Sequence, residues 1–214
     1  MSEKIINSNI KAFNSKIVLG TAQFGLKYGI NNKTGLVDEC SLNSILNYAI
    51  NSGIQLIDTA YNYGNSEERL GVYLSSLFKS GFKVVSKAPK GINTSNLVGY
   101  FKESVNRLNR VHIYGYLIHD IKDYLNDKLV FKTLEKLQND GLINKIGFSI
   151  YHPEDLELLL YDNELFDLIQ FPYNLADRRF ENYLIELKNK RIEAYARSIF
   201  LQGLFFVKKI SAKS

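Results

Sequence analysis

Seven short runs of β-branched and apolar residues alternate with longer segments of helical periodicity, and this alternation confines the chain to parallel-sheet architectures. The strand-like runs are Ile17–Leu19, Ile54–Ile57, Lys83–Ser86, Ile113–Ile118, Lys145–Phe148, Leu168–Ile169 and Ile192–Ala194. Between them, Leu42, Ile45, Leu46, Ala49 and Ile50 repeat at helical spacing. Leu70, Val72, Tyr73 and Leu77 mark a second helix, and Leu97, Phe101, Val105 and Leu108 a third. Leu129, Leu134, Leu137 and Leu142 mark a fourth. Pro153 suits the first turn of a fifth, which carries Leu156, Leu158, Leu159 and Leu160. Leu184 and Leu187 belong to a sixth. Gly53, Gly81 and Gly141 stand where left-handed helix ends are expected.

The regularity predicts an α/β fold, a (β/α)8 TIM-type barrel in one domain over residues 1–214. A complete barrel takes about 250 residues. Only Ser198 to Ser214 follow the seventh run, so the barrel is expected to be truncated after its seventh strand. Such a chain is a fragment, or an open barrel whose edge another chain covers.

Each apolar run closes on a polar residue: Asp58, Lys87, His119 with Asp120, Ser149, Gln170, and Arg197 with Ser198. Any one of these is readily a turn former or a helix cap. The set is different, because the C-terminal strand ends of a (β/α) barrel carry its active site.

The net charge of +5 raises the question of nucleic acid, but basic and acidic residues are interspersed. The densest late cluster, Lys188, Lys190 and Arg191, reads as a solvated helix end. The bland basicity suits at most an anionic cofactor or substrate. No segment reaches the roughly 18–20 apolar residues that cross a bilayer, and residues 1–15 carry no secretory h-region. The lone Cys40 excludes an intramolecular disulfide. A cytoplasmic protein with no membrane or nucleic-acid partner is expected, of unassigned oligomeric state. No metal is expected either, since His112 and His119 should lie at opposite ends of one strand and no zinc spacing occurs elsewhere.

The segment Leu56-Ile-Asp58-Thr-Ala-Tyr-Asn-Tyr63-Gly-Asn-Ser-Glu67 resembles the signature of the aldo-keto reductases. Val18-Leu-Gly20-Thr21-Ala-Gln-Phe-Gly25 is similar to that family's first strand and Gly-Thr turn. Val84-Val-Ser-Lys87 resembles its lysine strand and Tyr116-Leu-Ile-His119-Asp120 its histidine strand. Ile146-Gly-Phe-Ser149 and Ile169-Gln170-Phe-Pro-Tyr-Asn174 match two further segments. The likeness runs from Lys16 to Phe206.

The resemblance implies an NAD(P)H-dependent oxidoreductase that reduces an aldehyde or ketone to an alcohol. Hydride addition leaves negative charge on the carbonyl oxygen, which needs a proton. Tyr63 would be the general acid. Lys87 would lower its pKa, Asp58 would hold Lys87 charged, and His119 would orient the carbonyl. Tyr61 competes with Tyr63 by sequence alone. The family pattern, with the acid directly before glycine, selects Tyr63.

The resemblance also implies NADP(H) in preference to NAD(H). Gly20, Thr21 and Asp58 would lie near the nicotinamide ribose, Ser149 and Gln170 on the carboxamide, and Ser198, Leu201, Gln202 and Gly203 on the pyrophosphate. There are departures. Ile150 stands where an asparagine is common. Arg197 stands where an aromatic residue often stacks on the nicotinamide, and its guanidinium either takes that place or forms a rim salt bridge. No residues are offered for the adenosine phosphate. Phe24, Tyr28, Tyr61 and Tyr151 are candidates to line the substrate space, which suits an apolar or sugar-derived carbonyl compound. Two other readings are a non-catalytic barrel acting as a binding or regulatory protein, and a lyase or epimerase using Lys87 as base or Schiff-base amine.

Overall fold

A computed structural model describes residues 16–76, 81–162 and 164–207. Seven strands appear: β1 Val18–Gly20, β2 Leu56–Asp58, β3 Lys83–Lys87, β4 Ile113–Ile118, β5 Ile143–Ser149, β6 Leu168–Pro172 and β7 Glu193–Arg197. They form one parallel sheet in sequence order, curled into a nearly closed barrel with alternating helices. This is the truncated (β/α)8 architecture expected. Every expected strand overlaps an observed one, with β2 beginning two residues later than its apolar run.

The six expected helices are α2 Glu39–Asn51, α3 Ser66–Ser76, α4 Leu97–Arg107, α6 Leu129–Asn139, α7 Pro153–Tyr161 and α8 Leu184–Asn189. Two short ones were not legible, α1 Ala22–Gly25 and α5 Ile121–Asn126, because so few residues carry no period. Three expected apolar contacts are corrected: Ile45, Val72 and Leu129 are solvent-exposed. Leu77 lies outside the described residues.

Gly53 (φ 90°) and Gly141 (φ 74°) take the left-handed conformation at the ends of α2 and α6. In each, the following residue donates back across the turn, Ile54 N to Ala49 O and Leu142 N to Leu137 O. Asn109 and Arg191 do the same for α4 and α8. The helix end that Gly81 was expected to close lies outside the described residues.

Strand side chains alternate between two cores. One set, including Ile57, Val84, Tyr116, Phe148 and Ile169, packs with helix residues such as Leu46, Phe101, Leu134 and Leu159. The other set, Leu56, Val85, Leu117 and Leu168, fills the barrel interior with Val18, Tyr114 and Tyr195. Gly147 lets β5 approach β6 closely, since a Cβ there would lie 1.7 Å from Leu168 O.

Among the described residues β1 and β7 are the two ends of the sheet. Above the seam between them, their loops meet. Asn31 N donates to Gln202 O at 3.4 Å, and a Cβ on Gly203 would sit 3.1 Å from Asn31 Cβ.

Candidate active site

Hydrogen bonds continue past the strand ends and lace the C-terminal rim. Thr21 N donates to Asp58 O, Thr59 N to Val85 O, Tyr61 N to Lys87 O, Ala88 N to Leu117 O and Ile150 N to Gln170 O, all at 2.8–3.0 Å. The polar strand ends are therefore held in fixed register around one mouth.

Lys87 is fully buried. Its Nζ donates to Asp58 Oδ1 at 2.7 Å and to Thr59 O at 2.8 Å, and lies 5.0 Å from the Tyr63 ring centroid. Gln170 Nε2 donates to the same Asp58 oxygen at 2.8 Å, and Ser149 Oγ donates to Gln170 Oε1 at 3.4 Å. A buried ammonium is tolerable only with such partners. The His119 ring stands edge-on to Tyr63 with centroids 6.2 Å apart.

Two interlocked glycines place Tyr63. A Cβ on Gly25 would be 1.8 Å from Tyr63 O, and one on Gly64 would be 2.2 Å from Gly25 O, with Gly64 at φ 57°. Only glycine fits at either position. Behind them, three buried hydroxyls meet. Thr21 Oγ1 donates to Asp58 O at 2.9 Å, and Ser66 Oγ lies 3.0 Å from Thr21 Oγ1 and 3.1 Å from Thr59 Oγ1. Ser66 opens α3, so one helix start fixes the ends of β1 and β2. The sequence showed these hydroxyls within its motifs but carried no sign that they converge.

Burial pushes the Tyr63 phenol above its usual range, against the pull of the Lys87 ammonium. Lys87 acts in the expected direction, but desolvation outweighs the cation. His119 is driven down to about 3, first by burial and then by Lys87, Arg197 and Lys90, so its imidazole is neutral. Its buried Nδ1 has no hydrogen-bond partner. An unpaired lone pair there is less costly than an unpaired N–H, which assigns the proton to Nε2.

These groups face a cavity of about 870 Å3, within the range of small-molecule sites. Gly20, Thr21, Asp58, Tyr63, His119, Ser149, Gln170, Arg197 and Ser198 line it, so the structure brings all these sequence candidates together apart from Lys87, which sits behind Asp58. Tyr28, Tyr151, Gln202 and Gly203 line it as well. Asn62, Lys90, Phe200 and Phe206 also line it and were not singled out in the sequence.

Two candidate liners are corrected. Phe24 is buried in the helix-side core. Tyr61 turns outward, donating to Glu103 Oε2 at 2.6 Å beneath the Arg107 guanidinium. Asp120 caps α5, accepting from Lys122 N at 3.1 Å. Among the described residues Arg197 forms a ring stack and a backbone hydrogen bond in place of the rim salt bridge considered for it. Its guanidinium lies 3.9 Å over the Tyr151 ring and donates to Ile150 O at 3.1 Å, while its Nε is buried without a partner. Among the described residues no cluster of His, Cys, Asp and Glu suits a metal ion, and no helix is long and apolar enough to cross a membrane.

The model of the Aldo/keto reductase family matches residues 16–213. The chain is 32% identical over 163 residues to the glyoxal reductase of Bacillus subtilis, covering 72% of this chain and 56% of that protein. It is 28% identical over 177 residues to the NADH-specific methylglyoxal reductase of Escherichia coli, covering 71% and 54%. It thus spans little more than half the length of these relatives. The Bombyx mori aldo-keto reductase AKR2E4, solved in complex with NADP, superposes with a TM-score of 0.68 at 21% identity, covering 85% of this chain and 62% of that one. With all its described residues inside the family match and its barrel rim built as above, the chain belongs to the aldo/keto reductase family.

Proposed function

We propose that this protein is an NAD(P)H-dependent carbonyl reductase that converts an aldehyde or ketone to an alcohol with Tyr63 as general acid. The observation that carries the reading is the buried Lys87, fixed by Asp58 and Thr59 O beside Tyr63, with neutral His119 on the same cavity wall. Phenol, ammonium and neutral imidazole together answer the needs of a carbonyl oxygen that gains negative charge. His119 Nε2–H donates to that oxygen and orients it. Tyr63 passes its proton to the nascent alkoxide. The raised pKa keeps the phenol protonated near neutral pH, and the Lys87 ammonium stabilises the phenolate as it forms.

The residues present fit the nicotinamide end of a dinucleotide. Ser149 and Gln170 can hold a carboxamide, and the orphaned Arg197 Nε offers a donor in the cavity wall. Gly20 leaves open space, with nothing within 4 Å of an added Cβ. Thr21 contributes shape alone, since its hydroxyl is committed to Asp58 O. When bound, the nicotinamide supplies hydride. NADP(H) is proposed over NAD(H), although one relative is named for NADH. The substrate class is a small carbonyl compound, sugar-derived ones included, in a cytoplasmic single-domain protein.

The test is loss of NADPH absorbance with glyoxal, methylglyoxal, nitrobenzaldehyde and a panel of aldoses. Tyr63→Phe should lower kcat by about 10²–10⁴-fold without altering the fold. The alternative is a barrel that binds ligand without turnover. Cofactor quenching of protein fluorescence with no turnover on any substrate would establish it instead.

A further inference from the structure

Gln170 is 112 residues from Asp58 in sequence, yet its amide meets that carboxylate across the barrel mouth. Two donors, Lys87 Nζ at 2.7 Å and Gln170 Nε2 at 2.8 Å, share the single oxygen Oδ1. Gln170 is itself buried and anchored at its other end by Ser149. An aspartate held by one ammonium alone can rotate about its terminal bond. A second donor from the opposite wall fixes the carboxylate plane, and with it the place of the Lys87 ammonium. It also draws negative charge toward β6 and away from Lys87.

We infer that Gln170 is a positioning residue for the proton-donating pair: by sharing Asp58 Oδ1 with Lys87, it keeps the lysine in place and less completely neutralised toward Tyr63. This rests on the reading of Tyr63 as the acid, and it goes beyond the carboxamide grip that the family resemblance implies for Gln170. The charged and titratable groups facing Tyr63 are Asp58 from β2, Lys87 from β3, His119 from the end of β4 and Arg197 from β7. Asp58 is the anion among them, and it opposes phenolate formation while Lys87 and Arg197 favour it. Removing the Gln170 donor leaves Asp58 more negative and Tyr63 harder to ionise.

The test places a single fluorotyrosine at position 63 of the full chain and follows its fluorine resonance against pH, without cofactor. Fluorination brings the phenol's ionisation closer to neutral pH, where the fold is not stressed. Gln170→Met should move the midpoint upward by roughly 0.5 pH unit. Gln170→Glu, which replaces the donor by an acceptor, should move it further in the same direction. Ser149→Ala loses only the long outer bond and should shift it by less than about 0.2 unit. The alkaline limb of kcat/KM should follow the same order in the unfluorinated protein. If Gln170→Met weakens cofactor binding and leaves the fluorine midpoint in place, Gln170 is a cofactor contact only and the inference falls. It falls equally if both substitutions move the midpoint down. A shifted midpoint in a protein that turns over no carbonyl compound sustains the positioning role and removes the reductase reading. Turnover with an unshifted midpoint does the reverse.

Discussion

The rim of this barrel has two sectors built on different terms. From β2 to β6 the strand ends are buried. Lys87, Asp58, Gln170 and Ser149 form one connected hydrogen-bonded chain along the cavity wall, with Lys87 behind it. At β7 burial alternates between half-buried and exposed, and Arg197 rests on Tyr151 with its Nε unpartnered. The first sector holds charge in place through its own bonds, although His119 Nδ1 is left unpartnered there. The second leaves polar capacity unused beside the same cavity. A proton donor must be rigidly preorganised to be useful, whereas a surface that grips a ligand must keep donors free for it. On the proposed reading the proton chemistry belongs to the closed arc, and the seam side adds a further donor for the ligand beside Ser149 and Gln170.

The strongest challenge to this contrast is Lys87→Met, which leaves Asp58 charged and largely buried. It should cost about 3–5 kcal/mol, read as a lower urea midpoint at unchanged m. Gly25→Ala comes next. Its Cβ would collide with Tyr63 O, and the loop must move at a cost of at least about 2 kcal/mol, with loss of turnover. Gly20→Ala is its control on the cavity side, where open space predicts a change within about 0.5 kcal/mol in thermal unfolding.

His119 refines the contrast through pH. Its folded pKa is depressed to about 3 from 6.5. It therefore contributes stability above its unfolded pKa, and this is lost as pH falls from 6.5 toward 3, because the unfolded chain binds the proton more readily. In His119→Gln that part of the acid limb should vanish, so the wild-type advantage measured by urea unfolding shrinks between about pH 7 and about pH 4. Arg197→Met should cost the fold less than about 1 kcal/mol, while weakening cofactor binding by fluorescence titration. Should it destabilise as much as Lys87→Met, the two sectors do not differ in kind.

Much of the site was legible because strand ends are local features. Asp58, Lys87, His119, Ser149 and Gln170 each close an apolar run, and the pleat and parallel pairing carry such ends to one mouth whatever the intervening helices contain. Tyr63 and Tyr61 could not be separated by that logic, since both lie in a loop past β2. The Gly25–Gly64 contact decides between them, turning Tyr63 inward and leaving Tyr61 to Glu103 and Arg107. Thr21 and Phe24 likewise follow a strand end, yet one spends its hydroxyl on Asp58 O and the other its ring on the helix-side core.

The architecture is written into the chain locally, through a period-two and helical alternation that the backbone reads within a few residues. The residue types that stand at the rim are written there too. How those residues share their bonds emerges once the barrel has closed. The Gln170–Asp58 contact, the Arg197–Tyr151 stack and the three-hydroxyl knot at Ser66 each join segments far apart in the chain. Such contacts depend on where loops turn and how strands are registered, and no local period encodes either.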